Sequence, residues 1–199
     1  MAEDARPKVR VGILISGRGS NMEALVRASL LPDAPFEVGL VASNNPDAPG
    51  LAIAQSFGIP TFAHSHKGMK RAEFDAIIAR ELKAAGVEVI ALAGYMRLLS
   101  PEFISQWEGR IINIHPSLLP LYKGLDTHQR AIDAGDREAG CSVHIVTPEL
   151  DDGPVLMQAR VPVLPGDTAD ALATRVLAEE HRIYPEALRQ LAAALRDKG

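Results

Sequence analysis

Apolar runs alternate with amphipathic stretches through the first half of this chain, and that alternation limits the fold more than any other feature. Val9–Ser16, Phe36–Ser43, Ile59–Ala63, Val87–Ala93 and Arg110–His115 read as strands. Asn21–Leu30, Gly50–Phe57, Met69–Ala84 and a short Pro101–Trp107 read as the helices between them. Strands that are apolar throughout need cover on both faces, and helices inserted between them supply it. The expected class is α/β, a doubly wound, mostly parallel, Rossmann-like sheet with helices on both faces. After His115 the pattern changes. Ser117–Asp126 reads as loop and His128–Ala134 as helix. Cys141–Thr147 and Pro154–Val163 read as strands joined by a tight 148–153 connection, which predicts an antiparallel hairpin. Thr168–Leu195 predicts a long closing helix, opened by the capping sequence Asp167-Thr-Ala-Asp170 and bent or broken at Pro185. No repeat or linker divides the 199 residues, and residues 1–199 are read as a single domain.

Composition narrows the function. The net charge is −4 and no basic stripe is visible, which argues against a nucleic-acid partner. The lone Cys141 cannot form an intrachain disulfide, fits a reducing compartment and reads as a small apolar strand residue. Met1–Lys8 lacks the apolar region of a signal peptide. No segment approaches the ~18 apolar residues of a membrane span. The chain is therefore read as cytoplasmic, with no membrane partner.

Three stretches can carry chemistry. In Arg110-Ile-Ile-Asn-Ile-His-Pro116, Asn113 and His115 alternate, so both side chains point to one face of a strand that Pro116 ends. Open α/β sheets place ligands at such strand ends; a hydrogen-bonded core Asn and His is the alternative. In Ser16-Gly-Arg-Gly-Ser-Asn21, glycines between a strand and a helix let backbone approach a ligand, and the helix N-terminus supplies free N–H groups. No Gly-Lys-Ser/Thr follows, and Met22 stands where a dinucleotide fingerprint needs its third glycine, so a monophosphate fits better. The alternative is a glycine turn with Ser20 or Asn21 as helix cap. In Gly94-Tyr-Met-Arg-Leu-Leu-Ser100, Met96, Leu98 and Leu99 could line a slot for a flat ring, or fold back on the core. Asp151 and Asp152 read as solvated turn carboxylates unless the hairpin carries Asp151 to His115, where a carboxylate favours imidazolium. His64 and His66 do not complete a zinc set, and His144 reads as packed inside a strand. His181 and Glu180 read as a surface face of the long helix.

Together, ILISGRGSNMEAL, LAGYMRLLSPEF, INIHPSLLPLYKGLDTH, SVHIVTPELDDGPV and AEEHRIYPEAL resemble the phosphoribosylglycinamide formyltransferase family over nearly the whole chain. The resemblance implies a formyltransferase fold with a phosphate-binding half at about 8–100 and a catalytic and folate half at about 101–199. It implies formyl transfer from the co-substrate 10-formyltetrahydrofolate to the amine of 5'-phosphoribosylglycinamide in purine (IMP) synthesis. These small molecules are the expected partners; no metal is expected, and the chain would be a monomer or homodimer. The family's catalytic set falls on Asn113, His115 and Asp151. Its nucleotide site falls on Gly17, Gly19, Ser20, Asn21, Met22, Glu23 and Glu180. Its folate site falls on Arg71, Met96, Arg97, Leu98, Leu99, Asn113, Thr147, Pro148, Glu149, Leu150 and Asp151. Leu177 stands where some members have Gln, and Arg18 and Asp152 are assigned no role. The chemistry agrees: Asn113 and protonated His115 can donate to a tetrahedral oxyanion, with Asp151 assisting. A tRNA formyltransferase would carry a further basic domain and a formyltetrahydrofolate hydrolase an N-terminal one. An inactive phosphate-binding module is the non-enzymatic alternative.

Overall fold

A computed structural model describes residues 7–198; residues 1–6, most of the segment read for a signal peptide, lie outside the described residues. The strands are β1 (Val9–Ile15), β2 (Phe36–Ser43), β3 (Thr61–Ala63), β4 (Val89–Leu92), β5 (Ile111–His115), β6 (Glu138–Ile145) and β7 (Val155–Pro162). The helices are α1 (Ser20–Ser29), α2 (Pro49–Ser56), α3 (Arg71–Ala84), α4 (Pro101–Ser105), α5 (Thr127–Asp133) and α6 (Ala169–Arg196).

One sheet holds all seven strands in the order β3-β2-β1-β4-β5-β6-β7. Pairing is parallel from β3 through β5 and antiparallel for β5–β6 and β6–β7. The chain leaves β1 toward one edge, returns to β4 on the other side of β1 and continues outward. The switch point therefore lies between the ends of β1 and β4, where such sheets open a crevice.

Strand alternation sorts side chains into two cores. Val11, Ile13, Ile112 and Ile114 join residues of α1, α2, α5 and α6. Leu14, Ile90, Leu92 and Ile111 join residues of α3 and α4. Cys141 is buried in the first core, as expected. Tyr184 of α6 donates its hydroxyl toward the carbonyls of Leu92 at 2.8 Å and Ile112 at 3.1 Å, tying the helix to adjacent strands beside the switch point.

Three expectations change. Strand β6 starts at Glu138 rather than Cys141, because its register with β7 runs back to Glu138↔Pro162. Helix α6 runs unbroken through Pro185, which costs it a backbone donor; buried Ile183, Tyr184, Ala187 and Leu188 hold both flanks in the core. Its cap is Thr168, which accepts from Ala171 N at 3.1 Å, so Asp170 is the second helical residue. Asp167 instead bonds the Arg175 guanidinium and Leu164 N, and these, Arg175 first, hold its carboxyl low, at about 2. Among the described residues no helix is long and apolar enough to cross a membrane.

Candidate active site

The strand-end pair forms as its alternation requires. Ile112 and Ile114 enter the α6-side core, while Ile111 enters the other, so Asn113 and His115 share the opposite side with Ile111. His115 is buried, and its Nε2 lies 2.9 Å from the Tyr122 carbonyl, to which it donates. That leaves Nδ1, which faces Asp151 Oδ2 at 3.5 Å. The hairpin thus brings Asp151 across 36 positions of sequence to the imidazole. The Gly124 N–H donates to the same Oδ2 at 2.9 Å. Lys123 bonds Asp152, so Asp152 ties the two loops together. Asp151 and Tyr122 hold left-handed backbone, at φ 49° and 53°, as does Asp126 at 56°.

The site contains one residue that the sequence reading placed outside it. His144 is Asn113's partner across the β5–β6 pair. Its Nε2 lies 3.3 Å from Asn113 Nδ2 and 3.7 Å from Asp151 Oδ1, while its Nδ1 lies 3.0 Å from the Ile145 carbonyl. Nδ1–H donating to the carbonyl leaves Nε2 to accept from Asn113. The ring is therefore neutral, and burial holds it below the ordinary imidazole range. Antiparallel register was the only signal for this contact, and local pattern does not carry it. His128, also pushed down by burial, feels the His115 charge.

The glycine loop after β1 is built differently. Gly19, not Ser20 or Asn21, is the N-cap of α1, at φ 73° and with no side-chain cap bond. A Cβ there would meet Met22 Cε at 2.9 Å and the Gly50 Cα at 3.1 Å. Gly50 permits that approach, since its own Cβ would lie 3.1 Å from the Gly17 carbonyl. The first N–H groups of α1 thus have no side-chain cap, an anion-binding arrangement. Met22 turns its side chain into the core, so it offers the loop only backbone. Asn21 is buried; its Nδ2 donates to Glu180 Oε2 at 2.9 Å and its Oδ1 has no partner. Glu180 is therefore buried, not on a surface face. Burial pushes its carboxyl up, against the pull of Asn21, His181 and His115. Glu23 pairs with Arg27 on the helix surface.

On the other side of the switch point, Met96 and Leu98 are exposed at 69% and 53%, while Leu99 is buried in the α3–α4 core. Arg97 lies over the Phe74 ring at 4.9 Å. Arg71 opens α3 and is exposed. In the 147–151 loop, Thr147 is half-buried, Pro148 and Glu149 are exposed, and Leu150 is exposed at 52%.

The formyl transferase family profile matches residues 9–188. The chain is 46% identical over 178 residues to the phosphoribosylglycinamide formyltransferase of Escherichia coli K12, covering 89% of this chain and 84% of that protein. It is 46% identical over 187 residues to the trifunctional purine biosynthetic protein adenosine-3 of Gallus gallus, covering 94% of this chain but only 19% of that much longer protein. A crystal structure of phosphoribosylglycinamide formyltransferase from Brucella melitensis superposes with a TM-score of 0.90 at 54% identity, covering 94% of this chain and 97% of that one.

Proposed function

The chain belongs to the formyl transferase family, and we propose that it moves the formyl group of 10-formyltetrahydrofolate onto the amine of 5'-phosphoribosylglycinamide in purine synthesis. The observation that carries this reading is the convergence of Asn113, His115 and Asp151 at the end of β5, with Asp151 Oδ2 3.5 Å from His115 Nδ1. The nucleotide phosphate would sit on the uncapped start of α1, held by backbone of Gly17, Gly19, Ser20, Asn21 and Met22. The Asn21–Glu180 pair would receive the rest of this substrate. The folate would lie against Met96, Leu98 and Leu150, whose exposed apolar surface suits a flat ring. Backbone of 96–99 and 147–151 would read its polar edge, and Arg71 its carboxylates.

The chemistry then rests on this chain's own groups. Attack of the amine on the formyl carbon forms a C–N bond and puts charge on the carbonyl oxygen. Asn113 has one amide N–H engaged by His144 and a second to donate to that oxygen. His115, its Nε2 held by Tyr122, would present a proton on Nδ1 as the charge-assisted second donor. Asp151 stabilises that cation and, directly or through water, takes the ammonium proton. The C–N bond to the folate then breaks, and the folate nitrogen takes a proton. We place the reaction in the cytoplasm, with these small molecules as its partners. A turnover assay with 10-formyltetrahydrofolate tests the reading. Formylated nucleotide should form only when glycinamide ribonucleotide is present. Formate release without the acceptor would point to a hydrolase, and no turnover to a binding module.

A further inference from the structure

The loop from Gly94 to Ser100 has alternating destinations. Met96 and Leu98 face solvent; Arg97 packs on Phe74, and Leu99 enters the core. A seven-residue span between β4 and α4 that exposes two large apolar side chains has little hydrophobic reason to keep its shape. Two polar anchors from other parts of the chain hold it. At its start, Met96 N–H donates to the Ser16 hydroxyl at 2.8 Å, and that hydroxyl donates onward to Asn44 Oδ1 at 2.6 Å. At its end, Ser100 N–H donates to Asp75 Oδ2 at 2.7 Å. Asp75 is 2% exposed on α3, and Ser100 in turn caps α4 by accepting from Phe103 N at 3.2 Å. Asp75's charge also acts on the loop's Tyr95; burial, then Asp75, push that phenol upward.

We propose that Ser16 and Asp75 are positioning residues for the formyl donor: the two anchors fix the 94–100 loop in the shape that presents Met96 and Leu98. This rests on the reading of that loop as the folate surface. A buried carboxylate that accepts a backbone N–H fixes a loop end more strongly than a neutral acceptor does.

The test is calorimetric titration of folic acid and, separately, of glycinamide ribonucleotide into wild type, Ser16→Ala, Ser16→Thr and Asp75→Ala. Hydrogen exchange of residues 94–100 is followed in each. Losing the neutral bond in Ser16→Ala should weaken folate binding about 3–10-fold, speed exchange of the loop and leave nucleotide affinity within about twofold. Ser16→Thr, which keeps the hydroxyl, should restore folate affinity. Asp75→Ala should weaken folate binding about tenfold or more. A merely structural role would lower melting temperature and the titrated stoichiometry while leaving the folate Kd unchanged. If Asp75→Ala does not fold, Ser16→Ala decides alone. Folate affinity within about twofold of wild type in Ser16→Ala overturns the anchoring. Wild-type chain that binds nucleotide but not folate overturns instead the reading of the loop as a folate surface, and the proposal with it.

Discussion

The glycine loop after β1 and the site assembled from the loops after β4, β5 and β6 are made in opposite ways. The first is local. Six consecutive residues, a positive-φ glycine and the start of one helix build it, and what it offers is the backbone N–H donors of a helix start without a side-chain cap. The second is assembled from segments far apart in sequence. Its working groups are side chains, and Tyr122, Asp126 and Asp151 hold left-handed backbone without being glycine. Each such residue costs about 1–3 kcal/mol, although Asp tolerates the region better than most. On the proposed reading, the local site would present fixed dipoles to a charge that does not change in the reaction, and the assembled site would hold titratable groups where charge develops. Binding and chemistry should therefore separate by mutation.

The largest separation is expected at His115. His115→Ala should lower kcat about 10²–10³-fold while nucleotide affinity stays within about twofold, because its partners, Tyr122 and Asp151, lie on the assembled side. Steady-state kinetics beside a nucleotide titration checks this. A variant keeping more than about a third of wild-type kcat, far above that range, would remove His115 from the mechanism.

The reverse pattern is expected at Gly19. Gly19→Val places a branched side chain at φ 73° against Met22 and Gly50. Nucleotide affinity should fall about 10–100-fold, with folate affinity unchanged. Titrating both ligands checks it, and a loss confined to folate would reverse the assignment of the two sides.

The smallest effect is on stability. Burial lowers the folded-state pKa of His144 and of His128, so the unfolded chain takes up the protons first. Their neutral burial contributes fully above the ordinary imidazole range, about pH 6.5, and is lost as pH falls through that range toward the depressed folded values. The urea midpoint of wild type should drop between about pH 7 and about pH 5.5. His144→Gln, with one of the two groups removed, should drop less. Equal drops would mean that His144 does not resist protonation in the folded chain.

What could be read in the sequence divides along the same line. The strand–glycine loop–helix unit and the Asn113/His115 alternation were visible because period and turn chemistry are local. The seven-stranded order agrees with the doubly wound expectation. Asp151 was singled out on the condition that the hairpin reach His115, and local pattern could not show that it does. By local pattern His144 reads as a packed strand residue, because cross-strand partners depend on register. Glu180 looked exposed by helical position, but α1 packs on α6 there and the Asn21 amide covers it. Gly50 carried no motif, and its role appears only when α2 meets the Gly17 carbonyl. Pro185 reads as a bend or break on propensity alone, and the helix stays continuous because its buried flanks outweigh the lost donor.

The separation of the two sides is tested most directly at Asp151, which touches the assembled side alone. Glycinamide ribonucleotide is titrated into wild type and into Asp151→Ala, and single-turnover formyl transfer is measured on the same preparations. The account predicts nucleotide affinities equal within about twofold and a transfer rate lowered by about tenfold or more, through loss of the His115 partner and the Gly124 acceptor. Nucleotide affinity that falls in step with the transfer rate, or a transfer rate that does not fall, would contradict it.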